Sequence, residues 1–217
     1  MLEEAGAQPS EFFAGEITRE LPRFGLSLDE RRLLGLSRYL ALLDLWRRRT
    51  NLTGPMAAEE LVEHALESAF GEKLIPDGAR LLDIGSGAGL PGLPLAIVRP
   101  DLAVTLLEPR GKRAAFLRHA LRTIPVLNAG VLEEQIEKLL KPLYDVATIR
   151  ALSDPKRILI PPNFLQPHGA LVSWTTDPQS LSEALSGHFS LERIEHVPGT
   201  RRKVVAAYRK RPKQRAL

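Results

Sequence analysis

Arg80-Leu81-Leu82-Asp83-Ile84-Gly85-Ser86-Gly87-Ala88-Gly89-Leu90-Pro91-Gly92 is an apolar run that breaks into a glycine-rich turn. Leu81, Leu82 and Ile84 predict a strand buried on both faces, as in a parallel sheet. Glycine carries no Cβ and accepts positive φ, so such a turn can be tight and its backbone can approach a ligand closely. Pro91 sits where a helix begins, and the first turn of that helix offers unpaired N–H groups to the same spot. Strand, glycine turn and helix in this order predict a pocket for a nucleotide or nucleoside.

Downstream of this stretch, strands and helices alternate. Strands are predicted at 80–84, 103–107, 125–128, 144–149 and 169–174, with helices within 92–98, 111–122, 131–140, 154–160 and 178–186. That alternation implies a doubly wound parallel sheet of the α/β class. Ser190–Val197 and Val204–Tyr208, joined through Pro198-Gly199, predict a closing antiparallel hairpin. Upstream, a short helix is expected around Glu11–Leu21. Ser27-Leu28-Asp29-Glu30 reads as a capping box for a helix over 28–48, whose Leu33, Leu36, Leu40 and Leu43 repeat at helical spacing. Arg47-Arg48-Arg49 suits the carboxyl end of that helix. A turn at 51–55 leads to a second helix from about Ala57 to Phe70. Residues 1–75 are expected to be a helical extension packed on a core formed by 76–217, the whole making one compact unit.

The 217 residues are 44% hydrophobic and carry a formal charge of +4. There are no cysteines, which excludes disulfides, thiolate metal sites and cysteine nucleophiles and is compatible with the cytoplasm. The five histidines show no metal-ligand spacing, so no metal is expected. No run reaches membrane-spanning length, and the start of the chain does not read as a signal peptide. The positive charge is concentrated: residues 201–215 hold eight Lys and Arg and no acid. Clusters of this kind suit an anionic partner, nucleic acid first, although many are solvated faces.

The predicted second strand ends in Thr105-Leu106-Leu107-Glu108, which places an acid 23 residues after Gly85. A carboxylate there can accept hydrogen bonds from both hydroxyls of a ribose, in a nicotinamide dinucleotide or in S-adenosylmethionine. The dinucleotide pattern asks for a third glycine at position 90, where Leu90 stands. Asp83, two residues ahead of the turn, points the same way, toward a methyltransferase loop.

The run from Leu82 to Ile97, with Gly85, Gly87, Gly89, Leu90, Pro91, Gly92 and Pro94 in place, resembles the bacterial small-subunit rRNA guanine-N7 methyltransferases, once called glucose-inhibited division protein B. The likeness continues through Arg99-Pro100-Asp101, Glu108, Gly111-Lys112-Arg113 and Phe116-Leu117-Arg118. Upstream it takes in Trp46, Asn51-Leu52-Thr53 and His64, and downstream Tyr144-Asp145-Val146 and Arg150-Ala151, covering roughly 28–210. The resemblance implies a Rossmann-like class I S-adenosylmethionine-dependent methyltransferase fold with the N-terminal helical extension and C-terminal antiparallel hairpin described above. It implies S-adenosyl-L-methionine as cofactor, bound by Asp83, Gly85, Gly87, Gly89, Leu90 and Glu108, with Leu132 and Glu133 beside the adenine and Arg150 by the cofactor near the reacting centre. The implied substrate is a guanine in the decoding-region loop of 16S rRNA, on naked rRNA or a partly assembled small subunit. Neither DNA nor membrane is an expected partner, and a monomer is expected. The chain departs from the family pattern at Glu108, where aspartate is usual, at 152–155, and at 198–203, which lacks the usual acid and histidine.

N7 of guanine already carries a lone pair, so its methylation needs alignment and exclusion of water more than a base. No general base is therefore named, and Arg150 is a candidate for positioning or, alternatively, a structural arginine paired with Asp154. Lys112, Arg118, Arg122, Arg201, Arg202 and Lys203 are candidate RNA contacts, each also readable as a solvated charge. Arg113 falls within the apolar arc of its helix and is expected to pair with Asp83 or Glu108. His64 reads as a core or capping residue, and Trp46 and Trp174 as packing residues. Two competing readings remain: a nicotinamide-dependent oxidoreductase, and a non-catalytic RNA-binding module on a methyltransferase fold.

Overall fold

The computed structural model describes residues 4–50, 52–141, 143–150 and 163–212. Strands β1 (Arg80–Ile84), β2 (Ala103–Leu107), β3 (Ala129–Leu132), β4 (Tyr144–Arg150) and β5 (Leu165–Thr175) run parallel. β6 (Phe189–His196) and β7 (Val204–Lys210) form a hairpin, and β7 inserts antiparallel against β5. The sheet order is β3-β2-β1-β4-β5-β7-β6. Strand order reverses between β1 and β4, which puts the crevice for a ligand at their carboxyl ends.

Alternation along each strand decides which helices it meets. Leu81 of β1, Val146 of β4, Val172 of β5 and Val205 of β7 face one core, shared with α1 (Glu4–Phe24), α2 (Glu30–Arg47), α3 (Ala58–Phe70), α4 (Gly92–Val98) and α5 (Gly111–Thr123). Leu82, Ile84, Ala147, Ile149 and Leu171 face a second core under Leu181 and Leu185 of α6 (Pro178–Leu185). Asp83, Thr148 and Arg150 occupy strand positions in step with Leu81 and Val146, and so belong to the face that α3 covers. The N-terminal helices contribute Phe13, Ile17, Phe24, Leu36, Leu40, Leu61 and Leu66 to the same continuous core as the sheet.

Several expectations are corrected. The first helix is longer than 11–21, spanning Glu4–Phe24. Asp29, not Ser27, caps α2, its side chain accepting from Arg32 N at 2.8 Å. The third strand lies at 129–132 instead of 125–128, with Leu127 left 91% exposed. Register against β2 (Val104↔Ala129 to Leu107↔Leu132) sets it there. The helix expected over 131–140 reduces to a single 3₁₀ turn at Ile136–Lys138. The helix expected at 154–160, with Asp154 as a partner for Arg150, lies outside the described residues. No helix among the described residues is long and apolar enough to cross a membrane.

Candidate functional site

The turn after β1 takes three left-handed glycines, with φ of 70° at Gly85, 54° at Gly87 and 99° at Gly89. A side chain at any of them would be strained, and at Gly89 a Cβ would also stand 2.6 Å from Leu93 Cδ1. The turn is tied to β2, since Gly85 N and Ser86 N both donate to Leu107 O, at 2.9 and 3.0 Å. Asp83 is buried beneath it, with Oδ1 accepting from Thr148 Oγ1 at 2.8 Å and Oδ2 from Gly92 N at 3.2 Å. Burial pushes the Asp83 carboxyl up to about 6, against the hydrogen bonds from Ser86, Thr148 and Gly92 N that favour its anion. Leu90 joins Pro91 through a cis peptide, and α4 follows at once.

Glu108 stands at the carboxyl end of β2, 2% exposed. Its Oε2 accepts from Gly87 N and its Oε1 from Arg110 N, both at 2.9 Å. Each oxygen keeps a second lone pair, so the carboxylate can still accept a ribose hydroxyl. Leu132 ends β3, and the next residue, Glu133, lies against Gly111, where a Cβ would stand 3.0 Å from Glu133 Oε1. Gly85–Leu90, Glu108, Leu132 and Glu133 are thus brought together along the ends of three neighbouring strands, a cleft whose backbone and acid set fit a nucleoside. Glu133 Oε2 also accepts from Arg118 Nη2 at 2.7 Å, so Arg118 is held at the cleft by an ion pair. Arg113 does not form the expected pair among the described residues. Both carboxylates are satisfied by backbone or by Thr148, and its Nη1 lies over Gly87 instead.

Arg150 turns to α3. Its Nη1 donates to His64 O and Ser68 Oγ, each at 2.7 Å, and its Nη2 donates to Glu67 Oε2 at 2.8 Å and lies 2.7 Å from His64 Nδ1. His64 Nδ1 also lies 3.3 Å from Glu67 Oε2. Glu67, 2% exposed, takes Lys203 Nζ on its other oxygen at 2.5 Å, and its backbone carbonyl accepts from Trp174 Nε1 at 2.7 Å. Burial would raise the Glu67 carboxyl, but the hydrogen bonds with His64 and Lys203 and the charges of Arg150 and Lys203 outweigh it and hold the group at about 2. Sequence reasoning passes over Glu67 and reads His64 as a core residue. The available signal is strand alternation, which sends Arg150 to the α3 face. Tyr39 of α2 closes the arrangement, donating from its hydroxyl to Ala88 O at 2.9 Å. Lys112, Arg122, Arg201 and Arg202 are exposed, while Lys203 is half-buried in the Glu67 network.

The family model described as "rRNA small subunit methyltransferase G" matches residues 33–177. A protein of Xanthomonas axonopodis pv. citri (strain 306) named ribosomal RNA small subunit methyltransferase G is 45% identical over 150 residues, covering 68% of this chain and 70% of that one. A protein of the same name from Stenotrophomonas maltophilia (strain K279a) is 39% identical over 166 residues, covering 75% and 73%. Among solved structures, a point mutant of MtNAS in complex with S-adenosylmethionine superposes with a TM-score of 0.59 at 17% identity, covering 84% of this chain and 77% of that one. A SAM-dependent methyltransferase from Aquifex aeolicus gives 0.53 at 18% identity, covering 67% and 91%. At such identities the structural likeness speaks for the fold alone.

Proposed function

The chain belongs to the rRNA small subunit methyltransferase G family, and from that membership we infer an enzyme that methylates 16S rRNA with S-adenosyl-L-methionine as donor. We propose further that the accepting atom is N7 of a guanine in the decoding-region loop. The observation that carries the reading is the left-handed glycine turn pinned to Glu108, at the point where strand order reverses. When bound, the cofactor supplies an electrophilic methyl on a sulfonium. Gly85–Leu90 would cup the methionine and ribose portions, Glu108 would accept from the ribose, and Leu132 and Glu133 would flank the adenine. The protein's part is to align N7 with that methyl and keep water out, which requires no proton acceptor.

Lys112, Arg122, Arg201 and Arg202 are proposed as RNA contacts because they are exposed cations with no ion pair among the described residues, and phosphate neutralisation is what RNA affinity demands. Arg118 and Lys203 remain in this set with their charges shared with Glu133 and Glu67. Residues 1–75 are proposed as a helical extension of the single catalytic unit, acting as a monomer in the cytoplasm, where the rRNA is. The test is primer extension after borohydride–aniline cleavage of 16S rRNA from a deletion strain. Loss of a guanine-N7 stop is expected, and an unchanged cleavage pattern would count against N7. Calorimetry with S-adenosylhomocysteine, compared with NAD, is expected to give binding to the first alone.

A further inference from the structure

At the carboxyl ends of β4 and β5, beside the start of β7, the surface opens into a cavity of about 450 Å³, a size typical of small-ligand pockets. Its lining is mixed. Ile149, Leu181, Val197 and Val204 are apolar, Arg150 and Lys203 bring positive charge, and Glu67 and Asp177 bring negative charge. Two cations against two carboxylates leave no net attraction for a phosphate. Apolar surface with donors and acceptors set apart suits a purine base. The cavity is next to the cofactor cleft. Asp83↔Thr148 is the last paired position of β1 and β4, and two residues further on the strands carry Gly85 and Arg150.

We propose that this cavity receives the acceptor guanine, with Asp177 and Lys203 as the residues that recognise it and Glu67 as the residue that positions Lys203 and Arg150. The inference rests on the guanine-N7 reading above. Asp177 caps α6 with Oδ1, which accepts from Ser180 N at 3.0 Å, and its Oδ2 has no hydrogen bond among the described residues. A carboxylate there accepts from N1–H and the N2 amino group of guanine. Lys203 has three N–H donors and spends one on Glu67. Its side chain is 40% exposed, so the others can donate to O6, which shares the major-groove edge of the base with N7. Adenine would set its unprotonated N1 against Asp177 and its N6 amino group against Lys203, leaving both charges without a complement. Glu67 makes this reading possible by holding two like charges in fixed positions on one wall.

The test compares small subunits carrying guanosine or inosine at the target position, since inosine lacks only the N2 amino group. Wild-type enzyme is expected to methylate inosine about tenfold more slowly. Asp177→Asn preserves the α6 cap but replaces one acceptor by a donor, and is expected to be slower on guanosine and to have lost the discrimination. Equal discrimination by variant and wild type, or none by wild type, would overturn the assignment while leaving the activity intact. Glu67→Gln is expected to raise KM for rRNA about tenfold with S-adenosylhomocysteine affinity unchanged, and Glu67→Asp to restore it in part. A parallel loss of cofactor affinity would mark Glu67 as structural only. Failure of the wild type to modify the target guanine at all would instead sink the guanine-N7 reading.

Discussion

At Gly92 a single hydrogen separates a closed site from a clash. A Cβ there would overlap Leu106 Cδ2 and stand 2.7 Å from Asp83 Oδ2, so α4 could not lie on β2 as it does. Gly92→Ala is expected to cost about 1–3 kcal/mol of stability and to weaken S-adenosylhomocysteine binding, read by urea denaturation and calorimetry. Asp83 supplies a pH signature. Its pKa is raised in the folded protein, so the folded state holds the proton more tightly than the unfolded chain. The resulting stabilisation is full below about pH 4 and is lost as pH rises through about 6, at most about 3 kcal/mol. Asp83→Asn is expected to remove this slope, measured as unfolding free energy against pH. Glu67 has the opposite sign. Its depressed pKa stabilises the protein above about pH 4.5, and that contribution is lost as pH falls through about 2.

Among elements, α2 shows how a cap is chosen. Both Ser27 and Asp29 have the right chemistry, but it is Asp29 Oδ1 that reaches Arg32 N. Asp29→Ala should therefore cost about 1 kcal/mol and Ser27→Ala almost nothing, as chemical denaturation of the two variants would show. The elements around the glycine turn were legible: strands β1 and β2 and helix α4 fall where Leu81–Ile84, Val104–Leu107 and the glycine turn predict them. β3 was not, because Val126 and Leu127 make a better apolar run than Ala129-Gly130, while pairing with β2 is a tertiary choice that local pattern does not contain. Asn128 adds to that choice, since its Nδ2 lies 3.1 Å from the carbonyls of Ala96, Arg99 and Leu102 at the end of α4 and the turn after it. The position of Glu108, buried under the glycine turn at the end of β2, was readable from its spacing after Gly85. Strand alternation gives the face that Arg150 takes but not its partners, which lie 82 to 86 residues away on α3.

For the whole molecule, charge and core give separate expectations. Exposed Lys112, Arg122, Arg201 and Arg202 imply that RNA affinity falls steeply with added salt, whereas a cleft built on backbone N–H groups and Glu108 is far less sensitive. KM for rRNA should therefore climb between about 50 and 200 mM salt while the dissociation constant for S-adenosylhomocysteine changes little, as parallel kinetic and calorimetric titrations would reveal. Glu67 meets Arg150 and Lys203, partners that enter the chain 83 and 136 residues after it. During synthesis the acid is made early and must wait for both cations. A nascent chain that has delivered the glycine turn and β4 but has not yet reached residue 203 holds every residue of the proposed cofactor cleft while Glu67 still lacks its second cation. The spacing of these three side chains thus lets the proposed donor site be synthesised whole before the proposed acceptor site has its last cation.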